Sequence, residues 1–294
     1  MKRVGFLTSG GDCQALNATM RGVAKGLYQI YKDEVEIIGF EDGYKGLMYA
    51  NYQMMKQSDF SGVLTKGGTM LGTSRQPFKL MRVPDENGLD KVELMKHTYY
   101  KLKLDALVVL GGNGSQKTAN LLSQEGLNVI GLPKTIDNDL ALTDHTPGYG
   151  SAAKYIGTSM KEIIRDGFCL EYEKGIVTIV EIMGRDTGWL TASAALPRLN
   201  GEQAPHLVYL PEVSFSVDEF VEDVKNLQAN GTRTVIVAVS EGVEVDALGD
   251  YQSGKVDNFG HKYLSGVGKC LEDVVRDRIG CKVRSVELNI LQRC

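Results

Sequence analysis

Asp137, Asn138 and Asp139 stand together in PKTIDND (133–139), directly after the apolar run at 129–132. A turn needs one Asp or Asn as a cap, whereas this density of carboxylates and amide points to proton transfer or metal chemistry. Like charges two residues apart disfavour simultaneous ionisation, which suits one of the pair to act as a general base. A second segment, GGTMLGTSR (67–75), ends a glycine-rich loop on Arg75, whose guanidinium has the fork geometry to grip phosphate oxygens. Two more segments, TSGGD (8–12) and GGNGS (111–115), also follow apolar runs. Their glycines let backbone N–H groups approach a phosphate without interference from Cβ. The residues by themselves point to proton transfer or metal chemistry beside phosphate-binding turns, with either carboxylate open as the base.

Such residues need elements that bring them to one place. Short apolar, β-branched runs predict strands over residues 4–8, 35–40, 106–110, 129–132, 177–182, 207–210 and 234–239. Helix-period segments separate them, the pattern of a mainly parallel sheet with helices on both faces. In such sheets ligands collect at the carboxyl ends of strands, beside helix N-termini. TSGGD, GGNGS and PKTIDND fall at predicted strand ends, and so do Met183-Gly184-Arg185 and Glu241. After the first strand, Leu16, Met20, Val23 and Leu27 lie on one helical face and read as core. Turn residues crowd into DLALTDHTPGYG (139–150) before a helical segment expected from Ser151. This places a boundary between domains 1–145 and 146–294.

Composition narrows the classes. At 294 residues the chain has room for two domains, and its net charge of −4 advertises no basic surface to nucleic acid or anionic lipid. Five scattered cysteines with no C-x-x-C pair read as reduced thiols, with no metal cage. No apolar run approaches ~18 residues, and the N-terminus lacks a secretory h-region, so the expectation is a cytoplasmic protein with no membrane partner. No G-x-G-x-x-G follows the first strand, which argues against a dinucleotide dehydrogenase.

Taken together, TSGGD, GGTMLGTSR, GGNGS, PKTIDND, VEIMGRDTGWL and the terminal ELNILQRC resemble the phosphofructokinase family, and the resemblance runs from Met1 to Cys294. It implies two Rossmann-like three-layer α/β/α domains, the phosphoryl donor in the first and fructose 6-phosphate mostly in the second. It implies Asp137 as the base for the sugar's 1-hydroxyl, flanked by Thr135 and Asp139, with Arg185 steadying the transferring group. Met183, Gly184, Glu241, Arg284 and Arg293 match sugar-phosphate contacts. Gly11, Tyr44, Arg75, Gly112, Gly114, Ser115 and Lys134 match the donor site, and Asn113 matches the Mg²⁺ position, where many ATP-using relatives carry Asp. The resemblance further implies a homo-oligomer, dimer or tetramer.

Four features depart from the pattern or divide its readings. Ile290 replaces a histidine that often touches the sugar phosphate, and Ile176 replaces an arginine that often reaches across a subunit interface. His206 stands where regulated bacterial members carry a metal-binding glutamate. Relatives continue beyond the residue matching Cys294, so a shortened chain is expected. Gly114 matches ATP users, because Asp there would oppose the α-phosphate; Lys134 matches diphosphate users. The open Gly114 favours ATP, with diphosphate the alternative. A non-catalytic homologue is the competing class: Asn113 and the early end favour it, Asp137 and Arg185 oppose it. The strand-GGNGS unit also resembles NAD and lipid kinases, which lack PKTIDND and MGR.

Overall fold

The computed structural model describes residues 1–74, 76–169, 172–245 and 266–293. The chain divides into two compact units, Met1–Thr135 with Arg293–Cys294, and Ile136–Gln292.

The first unit is built on β1 (Lys2–Ser9), β2 (Val35–Phe40), β3 (Tyr52–Met55), β4 (Ala106–Gly111) and β5 (Val129–Pro133). Their order in the sheet is β3-β2-β1-β4-β5, parallel except for β3. The central β1 is buried from Val4 onward, as expected of a strand with parallel neighbours on both edges and helices over both faces. Leu7, Phe40, Leu107 and Val109 form one core with Leu47 of α2 (Tyr44–Tyr49) and Met95 of α3 (Lys91–Lys101). Helix α1 (Ala15–Tyr31) buries Leu16, Asn17, Met20 and Ala24. The expected stripe of Leu16, Met20, Val23 and Leu27 is thus corrected: the buried row advances by fours to Ala24, and Val23 and Leu27 are only half-buried.

The second unit opens with α5 (Tyr149–Phe168), two residues ahead of the expected start. It carries β6 (Ile176–Ile182), α6 (Trp189–Ser193), β7 (Leu207–Tyr209), α7 (Val217–Ala229), β8 (Thr234–Ser240), α8 (Val267–Arg278) and β9 (Lys282–Glu287). Its sheet runs β7-β8-β6-β9, parallel throughout. β6 and β8 are buried at every position, and their Val177, Ile179, Val235 and Val237 pack on Phe220, Val224, Leu271 and Val275 of α7 and α8.

Two strands lie outside the sequence expectation. β3 is a four-residue antiparallel edge with only Met55 buried, and β9 (KVRSVE) buries only Val283. Neither carries the apolar run by which a strand is recognised. Among the described residues, no helix is long and apolar enough to cross a membrane.

Candidate active site

In the first unit, β4 runs straight into α4 (Asn113–Gln124), with Gly112 as its N-cap. Asn113 and Gly114 are exposed in the first turn while Ser115 is buried beneath them. The N–H groups of that turn lack intrahelical acceptors and favour an anion. Gly111 is required by packing: a Cβ there would collide with Ser115 and stand 2.8 Å from the Ser9 carbonyl oxygen. Gly114 is different, because a Cβ would meet nothing within 4 Å. Its missing side chain keeps space open outside the fold.

Tyr44 corrects an expectation. It is fully buried and its hydroxyl donates to the Ser115 carbonyl at 2.7 Å, with burial pushing the phenol's pKa well up. It braces the α4 turn from within the core and presents no surface to a donor.

The glycine-rich loop is tied down by the buried side chains of Asn17 and Thr8 and the half-buried Thr73. Asn17 donates to the Lys66 carbonyl at 3.0 Å and accepts from the Met70 N–H at 2.9 Å. The Thr8 hydroxyl donates to the Gly72 carbonyl at 2.7 Å, and the Thr73 hydroxyl to the Gly10 carbonyl at 2.8 Å. Arg75, at the end of that loop, lies outside the described residues. At the turn after β1, a Cβ on Gly11 would come within 2.9 Å of the Arg293 guanidinium, which donates to the Asp12 carbonyl at 3.5 Å. Buried Lys134 follows β5, its N–H donating to the Gly111 carbonyl at 3.2 Å. Burial raises the pKa of Cys13, while Lys134 and Arg293 both pull it down, so the turn lies in the field of two cations.

In the second unit the three residues of the acidic cluster part company. Asp137 is buried and Asp139 exposed. Asn138 sits between them at φ +56°, in the left-handed region that Asn tolerates better than most. Its side chain donates to the Asp144 carbonyl at 3.1 Å and accepts from the Thr146 N–H at 2.8 Å, closing the loop that follows. Thr135, half-buried, precedes them as the last residue of the first unit's main stretch.

The turn after β6 is held from several directions. Met183 N–H donates to the Gln292 side-chain oxygen at 3.0 Å. Gly184 and Arg185 N–H both donate to Glu241 Oε1, at 3.1 and 3.0 Å. Gly188 N–H donates to Glu212 at 2.7 Å, and the Thr187 hydroxyl donates to the Asp137 carbonyl at 2.6 Å. Arg185 itself stands at φ +52°, a conformation costing a non-glycine residue ~1 kcal/mol or more, which the Glu241 bonds offset. Burial raises the pKa of Glu241, the two N–H bonds lower it, and the charge of Asp137 raises it again. Asp137, Arg185 and Glu241 therefore form one electrostatic group. Among the described residues the Arg185 guanidinium makes no hydrogen bond or ion pair.

These turns carry the segments that matter for relationship. A family model for phosphofructokinase matches residues 3–294. The chain belongs to the phosphofructokinase family. It is similar to ATP-dependent 6-phosphofructokinase 2 of Streptomyces coelicolor, with 36% identity over 292 residues, covering 99% of this chain and 80% of that protein. It is also similar to the pyrophosphate–fructose 6-phosphate 1-phosphotransferase of Dictyoglomus thermophilum, at 36% over 295 residues, covering 99% and 79%. Among solved structures, the pyrophosphate-dependent phosphofructokinase from Marinobacter aquaeolei superposes with a TM-score of 0.79 at 25% identity, covering all of this chain and 69% of that one. The phosphofructokinase fold is thus shared with proteins named for either donor.

Of the residues expected at the family's sugar site, the second unit brings together Asp137, Met183, Gly184, Arg185 and Glu241. Arg284 does not join them. Parallel register sets it opposite Thr178 in mid-strand, five residues before Met183, and it pairs with Asp166 and Thr178. Sequence reasoning missed Glu181, Gln292, Glu212 and Asn17. Glu181, buried on β6, accepts from Gly266 and Gly268 N–H at 3.2 and 2.7 Å; burial pushes its pKa up to about 7. A carboxylate inside the apolar run IVTIVEI was the available signal, as was Asn17 in an apolar helical stripe.

Proposed function

We propose that the protein transfers a phosphoryl group to the 1-hydroxyl of fructose 6-phosphate, giving fructose 1,6-bisphosphate, with ATP the favoured donor. The observation that carries this reading is the buried Asp137 tied through Thr187 to the turn that presents Arg185. A positioned carboxylate and an available guanidinium are what phosphoryl transfer requires of a protein beyond binding. Asp137 takes the proton of the 1-hydroxyl as that oxygen bonds to the terminal phosphorus, and the bond from phosphorus to the leaving phosphate breaks. Arg185 neutralises charge on the phosphoryl oxygens in transit. Met183, Gly184 and Glu241 align the sugar, and Arg293 takes its 6-phosphate.

The donor lies on Gly11, Gly112, Gly114, Ser115 and Lys134, all residues of the first unit, with the sugar mostly on residues of the second. Among the described residues no three His, Cys, Asp or Glu side chains converge on a metal position. Mg²⁺ would sit as a companion of the donor's phosphates, with the exposed Asn113 side-chain oxygen as an uncharged ligand, direct or through water. When bound it neutralises the donor's phosphate oxygens.

Diphosphate is the second reading, favoured by buried Lys134 in the field around the turn after β1. Measuring fructose 1,6-bisphosphate from fructose 6-phosphate with ATP and with diphosphate separately tests both. Faster turnover with ATP is expected; product from diphosphate alone would reverse the donor, and none from either would overturn the reading.

A further inference from the structure

The short 3-10 turn Asn289–Arg293 has its polarity inside out. Ile290 and Leu291 are 67% and 53% exposed, while Gln292 is 0% exposed. A fully buried amide beside two exposed aliphatic residues demands a polar partner, since burying an amide without one is costly. The partner is Met183. Gln292 Oε1 accepts from its N–H at 3.0 Å and Nε2 donates to its carbonyl at 3.4 Å, so one side chain serves both backbone groups of one residue. Nearby, the Leu288 N–H donates to the Glu181 carbonyl at 3.3 Å, stitching the start of this turn to the end of β6.

From this two-way pairing we infer that Gln292 is a positioning residue for the sugar side of the reaction, fixing Met183 and through it the Gly184-Arg185 backbone. The inference rests on the function proposed above. No other ordinary side chain of this length offers one donor and one acceptor in an amide's spacing. Glu241 and Glu212 hold the turn further along, at Gly184, Arg185 and Gly188, while among the described residues Gln292 is the side chain bonded to the backbone of its first residue.

Two variants separate positioning from folding. Gln292→Met keeps the shape and removes both bonds, leaving Met183 N–H and C=O to find other partners. Its half-saturating fructose 6-phosphate concentration should rise roughly tenfold or more, with donor saturation unchanged. Gln292→Glu keeps the acceptor, but ionised it sets an oxygen against the Met183 carbonyl. Protonated, it regains a donor. Glu181, Glu287, Glu241, Asp137 and Arg185 interact around this turn and Arg293 is the next residue, four acids to two bases. Full burial of the position adds to the bias of the added carboxyl toward its protonated form. The sugar saturation of Gln292→Glu, as a ratio to wild type at each pH, should therefore recover as pH falls from about 8 to about 6. Wild-type sugar saturation in both variants at every pH would overturn the inference. So would lowered turnover with sugar saturation unchanged, the mark of a smaller folded fraction, or sugar and donor saturation rising together. A wild type inactive with both donors would instead overturn the reading beneath it.

Discussion

Asp137, Asn138 and Asp139 show how neighbours in sequence come to hold separate tasks. Burial keeps Asp137 away from bulk water, and Asn138 spends its amide on the loop that follows. Asp139 stays exposed, so only one carboxylate of the pair is placed as a base is placed. On the donor side, single glycines carry the argument. Gly114 has open space around its Cβ position and no positive φ, so a side chain there costs little in packing. An added Asp would also sit in the first turn of α4, where negative charge stabilises a helix by typically 0.3–1 kcal/mol. Gly114→Asp should therefore fold normally, lose ATP-driven turnover to repulsion at the α-phosphate, and retain or gain activity with diphosphate. Steady-state rates with each donor check this; undiminished ATP turnover would show that the turn does not face the nucleotide.

Helices α4 and α8 differ at their N-termini. The α4 terminus is open and glycine-rich, the place proposed above for an external anion; at α8, the Glu181 carboxyl from β6 already accepts the Gly266 and Gly268 N–H groups. Burial raises the pKa of Glu181 from 4.5 to about 7, so the folded state holds a proton that the unfolded chain has released across that window. Folding stability from this group is full below the lower value and falls as pH rises toward the upper, by roughly 3 kcal/mol at most. Glu181→Gln removes the titration. Chemical denaturation at pH 5 and pH 8 should show the variant gaining on wild type as pH rises, and a pH-independent difference would contradict this.

Elements also mark where the sequence could be read and where it could not. β1, β4, β6 and β8 are deeply buried strands, and burial on both faces writes them as continuous apolar runs. β3 and β9 are polar and mostly exposed, unlike the equally peripheral but apolar β5 and β7, so that signature is missing from them. Donor glycines, PKTIDND and MGR were legible because each is dense at a strand end. Gln292, Glu212 and Glu181 were not, because a residue that holds another's backbone is defined by a partner distant in the chain. Arg284 looked like its fellow arginine until register placed it in mid-strand.

At the scale of the molecule, the chain builds two α/β units, one sheet parallel except for β3 and the other parallel throughout, and the function proposed above gives each a different part of the reaction. The first gathers glycine turns, a helix N-terminus and buried Lys134, the features that bind an anion rich in oxygen. The second gathers a carboxylate, an arginine in a strained turn, and the glutamate that holds that turn in place. Phosphoryl transfer needs both sets, yet a single residue separates binding from chemistry. Asp137→Asn preserves shape and removes the base, and general-base catalysis is typically worth ~10²–10⁴ in rate. The measurement that bears most directly on the account is therefore fructose 1,6-bisphosphate formation by wild type and Asp137→Asn, each with ATP and with diphosphate. Product from wild type, with turnover in the variant lowered ~10²–10⁴-fold at nearly unchanged sugar saturation, is the predicted result. A wild type that forms no bisphosphate, or a variant keeping more than about a tenth of its turnover, would contradict it.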